Sequence, residues 1–201
     1  MAKLPHEPEA RALVLGSGSP RRRELLGEAG FAFRIDVPRV DEKLIDGDAP
    51  EAQALRLALE KGREVAGRAD AESCVLAADT LVVIDDRILG KPADAAEAQH
   101  MLLSLAGRTH RVLTGYALLC RATSEQATGV AESHVRMRTV SAKEARAYAE
   151  TGEPLDKAGG YAVQGRAGSF VEEITGLRTN VIGLPVEDLV PLLAAFGVRP
   201  R

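Results

Sequence analysis

The stretch that most constrains this chain is Ser73-Cys74-Val75-Leu76-Ala77-Ala78-Asp79-Thr80-Leu81-Val82-Val83-Ile84, a nearly continuous apolar run. Such a run predicts a strand buried on both faces. With 201 residues, 45% of them hydrophobic, the chain has enough apolar surface for one domain or two small lobes around a sizeable core. One residue breaks the run. A carboxylate at Asp79 must be ion-paired, metal-bound or shifted in pKa, because an unpartnered buried charge costs several kcal/mol. The plain alternative is a satisfied structural aspartate at a strand end or bulge. Asp79 is nevertheless the strongest single catalytic candidate in the sequence.

A second constraint lies near the N-terminus, where Leu13-Val14-Leu15 runs into Gly16-Ser17-Gly18-Ser19-Pro20-Arg21-Arg22-Arg23. This reads as strand, tight turn and helix start, with Ser19 as N-cap and Pro20 at the first helical position. Arg21, Arg22 and Arg23 then fall in the first helical turn, where a cation is disfavoured by roughly 0.3 to 1 kcal/mol. A phosphate held by free N–H groups, the Ser17 and Ser19 hydroxyls and guanidinium forks would offset this. Ordinary surface arginines after a common cap are the plain alternative. Neither the Walker loop nor the dinucleotide fingerprint is completed, so the signal names phosphate without naming which one.

The rest of the chain reads in order as a strand over 31–35, a turn over 37–42 bearing Asp41 and Glu42, and a long helix over 51–68. Lys61 falls near the edge of that helix's apolar face. Asp85-Asp86 predicts a hairpin turn, after which Arg87 to Pro92 brings Lys91 back toward Asp79. A helix over 95–105 stops at Gly107, two strands over 110–119 and 129–140 are joined by a polar stretch over 121–128, and Ser141 with Glu144 forms a capping box for a helix over 142–151. Glycines recur through 152–185, the character of a loop-rich segment that encloses substrate, and a helix over 188–196 closes the fold.

Several function classes are excluded or disfavoured. A net charge of −3 and 3% aromatic residues argue against bulk nucleic-acid binding, leaving anion recognition to local clusters. His100, His110 and His134 have no metal-ligand spacing and read as ordinary histidines. Cys74 and Cys120 each sit in an apolar run and are expected as reduced core residues. The polar segment Met1 to Arg11 has no apolar signal core, and no segment approaches the length of a membrane span, so the cytoplasm is the expected location and no membrane partner is expected.

The polar groups that remain combine cations with carboxylates, a set suited to phosphate esters and a divalent metal. Glu42 and Asp79 would hold a hard cation such as Mg²⁺ or Mn²⁺, and a nearby carboxylate would accept a proton from attacking water. Hydrolysis of a nucleotide polyphosphate is the reaction class that follows.

Six motifs carry a family resemblance: Ser17-Gly18-Ser19-Pro20-Arg21-Arg22, Val40-Asp41-Glu42, Ala78-Asp79-Thr80, Gly90-Lys91-Pro92, Leu155 through Gly165, and Asn180-Val181-Ile182-Gly183-Leu184-Pro185. Together they resemble the ordered signature of the Maf nucleoside triphosphate pyrophosphatases. The resemblance implies an α/β fold in which a mixed, twisted sheet with flanking helices forms two lobes around a central cleft, as in inosine triphosphatases, in a homodimer. It implies metal-dependent hydrolysis of a nucleoside triphosphate to monophosphate and pyrophosphate, with Asp79 as proton acceptor and Glu42 beside the metal. Ser17, Arg21, Arg22, Lys61 and Lys91 would be the phosphate-binding groups. Arg21, Thr80 and Gln164 match the selectivity positions of the dTTP/UTP subgroup, and the Gln164 amide offers a donor and an acceptor to a pyrimidine edge. Two other readings stand beside this one: a pyrophosphatase for modified purine triphosphates such as 7-methyl-GTP, and a non-catalytic nucleotide-binding regulator of cell division. The sequence departs from the family at Gly176-Leu177-Arg178-Thr179, where Arg178 would alter selectivity if it lined the cleft.

Overall fold

Residues 10–201 are described by a computed structural model; most of the polar segment Met1 to Arg11 lies outside them. Strands β1 (Leu13–Gly16), β2 (Phe33–Ile35), β3 (Cys74–Ile84), β4 (Arg87–Leu89), β5 (Thr109–Cys120), β6 (Glu125–Met137) and β7 (Val171–Thr175) build one mixed sheet. The order is β2-β1-β3-β5-β6-β7, with β4 also on β3; β1 runs parallel to β2 and β3, and the remaining pairings are antiparallel.

Strand β3 is the axis of the molecule, and its alternation assigns the layers. On one face Val75, Leu81 and Val83 pack with Val65, Ala66 and Ala54 of helix α2 (Pro50–Arg68). On the other face two clusters lie end to end. Cys74, Leu76 and Ala78 pack with helices α1 (Pro20–Glu28) and α6 (Val186–Ala195), while Val82 and Ile84 pack with helices α3 (Ala95–Leu105) and α4 (Ala142–Ala149). Between the clusters, on the same face, sits the cross-strand pair Thr80 and Thr114.

The sheet has an opening. Along one side of β3, β1 pairs only as far as Ala77 and β4 begins only at Val82, so Ala78 to Leu81 have no strand neighbour there. The other side is continuous, because β5 pairs from Cys74 to Val83. Asp79 lies within the unpaired stretch.

The expected helices form with caps close to those read from sequence: Ser19 accepts from the Arg22 N–H, and Ser141 and Glu144 complete their capping box. The expected hairpin turn is made by Asp85 and Asp86, both at positive φ. The β5–β6 hairpin is tighter than expected. Ladder pairing continues to Cys120 opposite Glu125, so the polar residues 125–128 belong to β6. The glycine-rich segment also contains more regular structure than its composition suggests: three 3₁₀ turns, the edge strand β7 and the short helix α5 (Arg178–Ile182). Strand β7 was hidden by the acids Glu172 and Glu173, which face solvent and pair with Arg136.

Cys74 and Cys120 correct the expectation of reduced thiols. They stand directly opposite on β3 and β5, Cα atoms 4.5 Å apart, and form a disulfide. Each cysteine alone looks like a core residue; only the strand register shows that they meet. The bond spans 46 residues of sequence, and reducing it is expected to lower unfolding free energy by about 2–4 kcal/mol. Urea titrations with and without a strong reductant check this, with Cys74→Ala/Cys120→Ala as the control that reductant should not affect.

Candidate active site

A cleft of about 580 Å³ opens at the gap in the sheet, lined by the β1–α1 turn, the Glu42 segment, the centre of β3, Lys91 and the glycine-rich segment. Most of the residues picked out from the sequence converge here: Ser17, Ser19, Arg21, Arg22, Glu42, Lys61, Asp79, Thr80, Lys91 and Gln164 all line it.

At its base Asp79 points toward α2. Lys61 Nζ donates to Asp79 Oδ1 at 2.5 Å and contacts Glu42 Oε1 at 2.7 Å, while Lys91 Nζ lies 3.7 Å from Glu42 Oε2. Lys61 and Asp79 are only 5% and 7% exposed. Buried charges at these positions are tolerable because each neutralises the other. Burial pushes the Glu42 carboxyl upward, but the Lys61 hydrogen bond and charge, helped by Lys91 and Arg22, outweigh it and hold the carboxyl below the usual range. Periodicity had placed Lys61 at a helix edge; it is a buried bridge between two carboxylates.

The approach of α2 that makes this bridge depends on Gly115, which faces Asp79 across the ladder. A Cβ there would lie 2.2 Å from the Ala54 carbonyl oxygen of α2. Gly115 was not singled out in the sequence, since a lone glycine in a strand shows nothing of what packs above it.

On the β1–α1 side, Ser17 Oγ accepts from the Ser19 N–H and from Arg22 Nη1, each at 3.2 Å. Arg22 is tied to the protein: Nε donates to the Gly183 carbonyl at 2.8 Å, Nη1 also to the Ala78 carbonyl at 2.7 Å, and Nη2 to Thr80 Oγ1 at 3.0 Å. Arg21 and Gln164 line the cleft without a hydrogen-bond partner among the described residues. The inner wall is apolar, formed by Leu81, Val82, Leu89, Val163 and Ile182. Arg178 does not line this cleft; it borders a separate shallow depression with Glu172 and Glu173. Residues 176–179 therefore contribute no lining to the cleft.

Two residues of the site were missed. Lys157 has a side chain only 12% exposed, yet it lines the cleft, with Nζ donating to the Glu153 carbonyl at 2.6 Å and to Asp156 Oδ1 at 2.5 Å. As the single lysine of the glycine-rich segment it was available to sequence reasoning. The other is Tyr161, which backs the cleft and meets buried His110 Nε2 at 2.7 Å. Burial lowers the His110 pKa from 6.5 to about 4, and His110 Nδ1 is buried without a partner. The imidazole is neutral when folded and binds a proton near pH 6.5 when unfolded. Stability is thus intact above 6.5 and falls as pH drops toward 4, by about 3 kcal/mol in full. Urea midpoints across that range should show the loss, and His110→Phe should flatten it.

The donor set fits a hard divalent cation. Among the described residues no three His, Cys, Asp or Glu side chains cluster as a closed metal site. Mg²⁺, however, is usually held by one or two carboxylates plus waters and substrate phosphates. Glu42 and Asp79 are two such carboxylates, and Asp79 Oδ2 makes no hydrogen bond among the described residues.

Comparison with known proteins gives the chain its relatives. The chain is 47% identical over 185 residues to a dTTP/UTP pyrophosphatase of Symbiobacterium thermophilum, covering 92% of this chain and 94% of the relative. It is 43% identical over 184 residues to the dTTP/UTP pyrophosphatase of Vibrio cholerae, covering 92% and 97%. Among solved structures, a HAM1 protein from Coxiella burnetii aligns over 63% of this chain and 73% of its own at 17% identity, with a TM-score of 0.40, a likeness that adds nothing to the fold described above. The family of Maf-like proteins matches residues 12–196, and the chain belongs to that family.

Proposed function

We propose that the cleft hydrolyses dTTP and UTP to the monophosphate and pyrophosphate, breaking the anhydride bond between the α and β phosphates. The observation that carries this reading is the buried Asp79–Lys61 pair, which the exposed Glu42 joins from the cleft side, placed where β3 lacks a neighbour. The relatives that share the sequence are named for the same reaction.

In this reading Asp79 accepts the proton of the attacking water through the oxygen that Lys61 leaves free. Lys61 keeps both carboxylates in place and offsets their charge. Ser17, Ser19, Arg21 and Lys91 receive the phosphates, with the N-terminus of α1 behind them. Gln164 presents its amide to the pyrimidine edge against the apolar inner wall, with Arg21 and Thr80 as the other selectivity positions. Glu42, with Asp79 beside it, would hold a divalent cation, which when bound neutralises phosphate charge. We further read the chain as a single catalytic domain of two lobes, homodimeric and cytoplasmic. No helix among the described residues is long and apolar enough to cross a membrane.

Pyrophosphate release across dTTP, UTP, CTP, GTP, ITP and 7-methyl-GTP, with Mg²⁺, with Mn²⁺ and after chelation, tests the reading. Metal-dependent cleavage of the uracil and thymine nucleotides is expected. Preference for a purine would overturn the selectivity, and nucleotide binding without any cleavage would overturn the reaction.

A further inference from the structure

The guanidinium of Arg22 occupies the place of a missing strand. Where β1 stops, the Ala78 carbonyl on the open side of β3 has no ladder partner, and Arg22 Nη1 takes it at 2.7 Å. Three more hydrogen bonds leave the same group, to Ser17 Oγ, Thr80 Oγ1 and the Gly183 carbonyl. Four of the five guanidinium N–H groups are thereby engaged with protein.

The Thr80 bond continues inward. Thr80 Oγ1 lies 3.0 Å from Thr114 Oγ1, and Thr114 Oγ1 donates to the Asn180 carbonyl at 3.2 Å. Thr80 Oγ1 accepts from Arg22 and also lies 3.4 Å from the Gly183 carbonyl, so the two hydroxyl protons are shared among Thr80, Thr114 and the carbonyls of Asn180 and Gly183. Asn180 is anchored in turn, its Nδ2 donating to the Val112 carbonyl at 3.0 Å and to Ser133 Oγ at 2.9 Å. Asn180 and Gly183 both belong to the turn of α5, so the chain from Arg22 closes into a ring through β3, β5 and that turn. Thr80, Thr114 and Asn180 sit at the boundary of two apolar clusters, and Thr114 and Asn180 are fully buried. Asn180 Oδ1 is buried without a partner, but the remaining bonds tie the three residues together, and in such surroundings breaking one of them is costly.

We infer that Arg22 and Thr114 are positioning residues: together they hold the unpaired stretch of β3, and with it Asp79, in register with the β1–α1 turn, and neither is a ligand of the triphosphate. The inference rests on the proposed reaction for its kinetic readout, and it changes the part expected of Arg22, from phosphate ligand to strut.

The test compares Thr114→Val, Thr114→Ser and Arg22→Lys with the wild type. Turnover of dTTP is measured alongside calorimetric binding of α,β-imido-dTTP, which resists cleavage. The expected result is a fall in kcat of about 10²-fold for Thr114→Val and Arg22→Lys, exceeding any loss of analogue affinity, with Thr114→Ser restoring most of it. Affinity loss that exceeds the kcat loss, or Thr114→Val at wild-type kcat, would overturn the inference. Amide hydrogen exchange of the segment 78–81 in nucleotide-free protein supplies a readout without catalysis. It should accelerate about tenfold in Thr114→Val while 74–77 holds, and unchanged exchange at 78–81 would overturn the inference even if the wild type cleaved no nucleotide at all. Wild-type inactivity would count against the proposed reaction alone.

Discussion

Asp79→Asn is expected to lower kcat for dTTP by about 10³-fold, within the range that a positioned general base contributes. The amide keeps the volume and still accepts from Lys61, so the bridge loses one charge but not its shape. Lys61 would then be balanced by Glu42 alone. Binding of α,β-imido-dTTP in metal-free buffer should stay near the wild-type affinity, because the Ser17, Arg21 and Lys91 groups are untouched. Pyrophosphate release paired with calorimetry separates the two quantities. Activity within tenfold of wild type would move the proton-accepting role from Asp79 to another group, Glu42 first.

The largest effect on stability is expected from a position far less conspicuous. Gly115→Ala places a methyl 2.2 Å from the Ala54 carbonyl oxygen and 2.7 Å from the Leu55 nitrogen, both backbone atoms that no rotamer change can move aside. Helix α2 must shift, and the expected cost is about 4 kcal/mol, above the usual range for overpacking. Activity should fall with it, since Lys61 travels on the same helix. Gly67→Ala, also on α2 but with nothing within 4 Å of the added carbon, should instead stabilise by up to about 1 kcal/mol. Urea unfolding of the two variants decides the matter; similar midpoints would show that α2 is not pinned at Gly115.

These two residues mark how far the sequence could be read. Asp79 announced itself because a carboxylate in an apolar run is costly, and the Ser-Pro cap, the capping box and the Asp-Asp turn are local signals that local structure obeyed. Gly115, the Cys74–Cys120 bond and the strut at Arg22 are consequences of register, set by which residues stand opposite one another across strands tens of residues apart. No local pattern encodes that. The Arg21-Arg22-Arg23 run shows the difference within one helical turn: the sequence treats three cations alike, whereas the fold leaves Arg21 facing the cleft and binds Arg22 into the sheet. Lys61 was misplaced for a related reason, since helical periodicity sees a face and not the carboxylate above it.

The short length of β1 has a consequence for how this chain tolerates change. With four residues in β1 and three in β4, the window onto Asp79 is defined by where two strands stop. The sheet works as a ruler whose markings are counted in residues. Lengthening β1 by two would let the ladder zip past Ala77 and cover Ala78 and Asp79, whatever the side chains. Insertions at the Arg121 to Ser124 hairpin tip only extend a ribbon away from it. A library of single- and double-residue insertions should therefore divide sharply, silent at the distal hairpin and fatal at Gly16 to Ser19, with chain length rather than chemistry as the inherited quantity.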